Sequence, residues 1–214
     1  MSSPQPDGYL ATPLAGDGAP VLVLHPRWGL NATIRAFCDR LAAAGFVVFA
    51  PDLYHGKVVD TIPDAEAAVN ALSSNYQQAQ AEVAQAATFL SRRAGSDGRG
   101  LAVIGFSMGV YYALELAASA PDLIRKVVIF YGTGDADFST SRADYLGHFA
   151  ADDDFEPREY VDGMEAAIRA AGRPVSFHHY PNTGHWFFES DRADAYNAAA
   201  ASLAWERTLA FLEE

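Results

Sequence analysis

The chain has 214 residues, half of them hydrophobic, which is enough to bury one sizeable core and points to a single domain over 1–214. Fifteen Lys and Arg face 27 Asp and Glu, a formal net charge of −12 that argues against a nucleic-acid backbone or an anionic membrane as the main partner. No apolar stretch approaches the roughly 20 residues that span a bilayer. Cys38, the one cysteine, has no internal disulfide partner, so a buried structural thiol and a reducing, cytoplasmic setting are expected.

Residues 1–8 are polar, hold two prolines and lack the basic start and apolar run of a signal peptide, so export is not expected. A short edge strand is expected at 9–13. From there β-branched or aromatic runs at 21–24, 46–49, 101–106, 126–131, 145–149 and 175–180 alternate with longer alanine-rich segments. The latter predict helices at 33–44, 64–72, 76–93, 107–118, 159–171 and 191–212. Four of the strands are almost continuously apolar, as strands covered on both faces are, and alternating β and α elements imply a mainly parallel sheet with right-handed crossovers. Gly45 and Gly172 follow helices where a left-handed residue is wanted, and 94–100 reads as a flexible loop. No repeat, linker or composition break divides the chain. In such a sheet ligands bind at the carboxyl ends of the strands, so the loops after them are where chemistry is expected.

After the strand at 101–106 the chain reads Gly105-Phe106-Ser107-Met108-Gly109 and then turns helical. G-x-S-x-G between a strand and a helix is a nucleophile elbow, a turn so tight that side chains two residues either side of the serine would collide. Ser107 would then stand at the top of the sheet, beside a helix N-terminus that favours developing negative charge. A serine hydroxyl needs a base, and the base needs a carboxylate to fix its tautomer. His185 follows the strand at 175–180, and Asp152, Asp153 and Asp154 follow the one at 145–149, giving the order Ser, Asp, His. His148, His178 and His179 lie in strands and read as core or face residues; His25 and His55 follow strands but precede the elbow and read as pocket lining. The aspartate run lacks the ligand spacing and glycine of an EF-hand, so no metal is expected. For the oxyanion, the N–H after the nucleophile belongs to Met108, and Arg27 is the choice for the second donor, since Pro26 has none.

Five segments taken together look like the dienelactone hydrolase family. They are Leu24-His25-Pro26-Arg27-Trp28-Gly29-Leu30-Asn31, Ala50-Pro51-Asp52-Leu53-Tyr54, Gly105-Phe106-Ser107-Met108-Gly109, Asp153-Asp154-Phe155-Glu156-Pro157 and Gly184-His185-Trp186-Phe187. They fall in the family's order at similar intervals, and the resemblance covers nearly the whole chain. It implies an α/β-hydrolase fold without a cap domain, since only 132–144 separate two strands where related folds insert one. It also implies Asp153 as the acid, four residues before a proline.

Three departures matter. Ser107 stands where dienelactone hydrolases proper carry cysteine. Pro26 stands where a glutamate contacts that cysteine, and Gly56 and Glu189 align with the two arginines that hold the substrate carboxylate. Without that clamp a dienelactone is not expected as substrate. Trp28, Tyr54, Phe106, Trp186 and Phe187 beside the strand ends favour instead a neutral short-chain ester or lactone. The expectation is a serine carboxylic-ester hydrolase working through an acyl-enzyme, without cofactor, as a monomer or dimer whose partner is that small ester. The alternatives are an acyltransferase or perhydrolase using the same triad, and a small-ligand-binding protein that keeps the fold without turnover.

Overall fold

A computed structural model describes residues 5–94 and 100–214. The expected loop at 94–100 thus falls, over 95–99, outside the described residues. Among the described residues seven strands form one sheet: β1 Gly8–Ala11, β2 Pro20–Leu24, β3 Val47–Pro51, β4 Leu101–Phe106, β5 Ile124–Phe130, β6 Asp144–Ala150 and β7 Val175–Tyr180. Their order is β1-β3-β2-β4-β5-β6-β7, and every neighbouring pair is parallel except β1 with β3. The edge strand expected at 9–13 is therefore real, one residue displaced at its start and shorter at its end. Among the described residues six helices accompany the sheet, α2 packing chiefly on α3: α1 Ala32–Ala43, α2 Ile62–Ser74, α3 Tyr76–Ala94, α4 Met108–Ser119, α5 Arg158–Ala170 and α6 Ala198–Glu213.

Strand alternation divides the interior into two layers. Leu22, Leu24, Val103, Val127 and Ile129 face α3, α4 and α5, whereas Val21, Val23, Ile104, Val128 and Leu146 face α1 and α6. Burial on both sides is what leaves β2, β3 and β4 without a polar position. Cys38 is fully buried on the α1 side, and burial pushes its thiol far up, so it is a packed, unreactive group.

Local chemistry sets the helix ends. Gly45 and Gly172 have φ of +101° and +72°, and each N–H, with that of the next residue, closes back on the last turn: Gly45 to Ala42, Phe46 to Leu41, Gly172 to Arg169 and Arg173 to Ile168. The helix expected at 191–212 starts later, at Ala198. Residues 189–196 form consecutive turns, and the Asn197 side chain accepts the Ala200 N–H at 3.1 Å, fixing the start there.

One buried histidine ties the sheet to α6. His148 is fully buried, with Nδ1 2.8 Å from the Tyr180 hydroxyl and Nε2 3.0 Å from Thr208 Oγ1. Thr208 gives its own proton to the Ala204 carbonyl, so His148 donates from Nε2 and accepts from Tyr180 at Nδ1. Burial, with His178 and Arg207 nearby, holds its pKa well below the usual value of 6.5. The folded protein thus takes the neutral ring while the unfolded chain protonates near 6.5. The stability from this site is complete above that pH and is lost as pH falls below it. Urea midpoints are expected to drop between pH 6.5 and 5, with a shallower drop in His148→Gln.

Candidate active site

The carboxyl ends of β2, β4, β5, β6 and β7 carry the residues that converge. Ser107, between β4 and α4, has φ +48° and ψ −117°, a conformation that costs on the order of 1–3 kcal/mol and persists only where its surroundings enforce it. The surroundings are tight. A Cβ on Gly105 would lie 2.7 Å from the Val110 Cα, and one on Gly109 would run into the Leu24 carbonyl oxygen. The Ser107 N–H donates to the Phe130 carbonyl at 2.9 Å and its carbonyl accepts from Val110 at 2.9 Å. α4 is buried nearly all round, through Val110, Tyr112, Ala113, Leu114, Leu116 and Ala117, which anchors the turn from behind.

Ser107 Oγ lies 3.0 Å from His185 Nε2, and His185 Nδ1 lies 2.9 and 3.0 Å from the two carboxylate oxygens of Asp153. Ser107 and His185 are buried, and the Asp153 side chain is 4% exposed. The Phe155 and Glu156 N–H groups donate to Asp153 Oδ1 at 2.9 and 3.1 Å, holding the carboxylate in the turn before α5. Asp152 and Asp154 point outward instead, as exposed residues of the rim. Such a chain of three can take a proton from the hydroxyl and stabilise the resulting imidazolium.

Met108 is the first residue of α4, so its N–H has no acceptor within the helix. The turn bearing Arg27 follows β2, and the carbonyls of Leu24, which ends the strand, and of His25, just past it, close around Gly109. Arg27 also lays its guanidinium over the Phe155 ring, 5.1 Å from its centre. His25 is neither base nor pocket wall. Its Nδ1 is 2.8 Å from the Pro26 carbonyl and its Nε2 accepts the Leu53 N–H at 3.2 Å, so it is a buried strut between two loops, and burial lowers its pKa. His55 lies 3.6 Å from Glu82, away from the triad.

A cleft of about 540 Å³ opens on the outer side of His185, lined by Trp28, Phe155, Trp186, Asp60, Asp191 and Arg192 among others. Trp28 and Trp186 meet at 5.2 Å between ring centres, and Phe155 lies 5.1 Å from the imidazole. Three aromatics expected there are elsewhere. Phe106 shares the strand face of Ile104 and is stacked on Phe130 at 4.6 Å beneath α1, and Phe187 is fully buried against Tyr131 and Tyr180. Both belong to the core: alternation turns Phe106 to the α1 side, and Phe187 points inward from the loop that Trp186 faces outward. Tyr54 does not line the cleft either; its hydroxyl meets Met108 Sδ at 3.4 Å while its ring lines a separate cavity of about 290 Å³ between α2 and α3. Phe155, Asp60 and Arg192 were not expected in the cleft because it joins segments far apart in the chain. Glu189 was noticed only for replacing an arginine, although a lone carboxylate after Trp186-Phe187-Phe188 signals a buried acid.

The parallel sheet, the strained serine between β4 and α4 and the histidine after the last strand define an α/β-hydrolase fold. A solved structure described as "Putative Dienelactone Hydrolase" from Klebsiella pneumoniae superposes with a TM-score of 0.84 at 28% identity, over 97% of this chain and 92% of that one. The chain belongs to the dienelactone hydrolase family, whose sequence profile matches residues 7–214. It is 32% identical to "Protein usf" of Aquifex pyrophilus, over 97% of this chain and 92% of the relative. It is likewise 32% identical to a "Putative carboxymethylenebutenolidase" of Salmonella typhi, over 94% and 80%. Among the described residues no helix is long and apolar enough to cross a membrane.

Proposed function

We propose that this protein is a serine carboxylic-ester hydrolase that cleaves small neutral esters or lactones through an acyl-enzyme. The observation that carries the reading is the unbroken chain Ser107 Oγ, His185, Asp153 at 2.9 to 3.0 Å. In it His185 Nε2 accepts the Ser107 proton as Oγ adds to the ester carbonyl. Asp153 takes a hydrogen bond from Nδ1–H and so fixes the tautomer that leaves Nε2 free. The oxyanion is bound by the N–H groups of Met108 and Arg27. Collapse breaks the ester C–O bond, His185 returns its proton to the leaving alcohol, and Ser107 keeps the acyl group. Water, deprotonated by His185, then adds to the acyl carbon; the carboxylic acid leaves and the Ser107 hydroxyl is restored.

Charge around the cleft favours uncharged substrates. Asp60, Asp152, Asp154, Asp191 and Asp194 line it against one guanidinium, that of Arg192, which lies 3.6 Å over Trp28 and donates to the Asp60 carbonyl. An anionic substrate would approach five carboxylates, with the Arg192 guanidinium stacked on Trp28 and that of Arg27 on Phe155 as the cations beside them. A neutral short-chain ester is expected to show kcat/KM about tenfold or more above an isosteric anionic one at low salt, the gap narrowing as ionic strength rises. A hydrolysis screen over matched neutral and anionic esters and lactones, with Ser107→Ala as the blank, tests this. Preference for the anionic members would overturn the assignment of substrate.

A further inference from the structure

Glu189 is a carboxyl group buried where the mechanism above does not use it. It is 1% exposed and ends the turn that begins at Trp186, to whose carbonyl it donates its N–H at 2.9 Å. Its Oε1 accepts the Tyr131 hydroxyl at 2.9 Å, and its buried Oε2 has no hydrogen-bond partner.

Tyr131 is equally enclosed. It is fully buried, has φ of +36° just past β5, and its N–H donates to the His148 carbonyl at 2.8 Å. Its ring centre lies 5.0 Å from that of the His185 imidazole. The residue before it, Phe130, accepts the Ser107 N–H. One short segment therefore holds the elbow with its backbone and supports the imidazole with its side chain. Glu189 ties that side chain back to the loop from which His185 projects.

We propose that the Glu189–Tyr131 pair is a positioning latch that fixes the His185 loop over the elbow, an inference that rests on the serine-hydrolase reading. An apolar pair would fill the same space without desolvating a carboxyl, but it would not set the direction of the tyrosine ring. The latch works with the carboxyl neutral. Burial, helped by Asp191 and opposed by the Tyr131 hydrogen bond and Arg192, raises the Glu189 pKa to about 8. Tyr131, whose own pKa burial and Glu189 push well up, stays a donor; Asp191 and Asp153 face it as well. Ionised, Glu189 would bury a charge with one oxygen unpartnered and release the loop.

Steady-state kinetics of Tyr131→Phe, Glu189→Ala and Glu189→Gln across pH test this. The first two are expected to lower kcat at pH 7 by about tenfold or more with KM changed less than about twofold. Glu189→Gln, which keeps an acceptor for Tyr131, restores kcat. Wild-type kcat is expected to decline on the alkaline side with an apparent pKa of about 8, a limb absent from the Gln variant. If Glu189→Ala does not fold, Tyr131→Phe, which removes one oxygen, decides. Wild-type kcat in Tyr131→Phe, or the same alkaline limb in Glu189→Gln, would overturn the latch. Either result, obtained while Ser107→Ala remains inactive, leaves the hydrolase reading standing. Turnover by Ser107→Ala would remove that reading instead.

Discussion

Ser107→Ala is expected to lower ester turnover by about 10⁴- to 10⁶-fold, the range over which loss of a triad nucleophile acts. The size follows from what the side chain alone supplies. Met108 and the Arg27 turn would still offer their N–H groups to the carbonyl, and His185 would still sit on Asp153, so the residual rate is that of water attacking a bound, polarised ester. The fold is expected to survive. Removing one oxygen from a residue at φ +48° leaves the backbone strain unchanged, and the Ser107 N–H and carbonyl keep their bonds to Phe130 and Val110. Burst-phase kinetics with a chromogenic ester and thermal melts check both halves.

Asp153→Asn is expected to lower kcat by about 10⁴-fold with little change in KM. The amide can occupy the same turn, and its oxygen can still accept the Phe155 and Glu156 N–H groups. Its NH₂ then faces His185 Nδ1, 2.9 Å away in the wild type, and donates where the carboxylate accepted. The imidazole responds by placing its proton on Nε2, opposite Ser107 Oγ, where it can no longer take the serine proton. Imidazole NMR resonances distinguish the two tautomers. Burial sharpens the effect, because solvent has little access to replace the lost acceptor.

The architecture was legible because its physics is local. Strands β2 to β4 announced themselves by continuous apolar runs, and the elbow by glycines that Val110 and Leu24 leave no room to replace. The convergence of Ser107, His185 and Asp153 could be anticipated because a parallel sheet brings the carboxyl ends of its strands to one edge. Phe106 and Phe187 were misplaced for the converse reason. Position beside a strand end says where a residue lies along the sheet but not which face it takes; following the alternation on from Ile104 would have put Phe106 under α1. The late start of α6 escaped notice because the alanine-rich pattern runs through Asn197, and only the hydrogen bond to Ala200 shows that residue to be a cap. The rim of aspartates is assembled from Asp60, Asp152, Asp154, Asp191 and Asp194, a set no short-range pattern reveals.

The proposed mechanism turns on attack by Ser107 Oγ. Incubation of the protein with a fluorophosphonate, followed by peptide mapping in a mass spectrometer, reads this out directly. One adduct is expected, on the peptide bearing Ser107, formed in step with loss of ester turnover and slowed by a competing ester. No adduct is expected in Ser107→Ala, and a strongly reduced rate of formation in Asp153→Asn. Loss of turnover with Ser107 unmodified, or full modification of Ser107 with turnover intact, would contradict the mechanism.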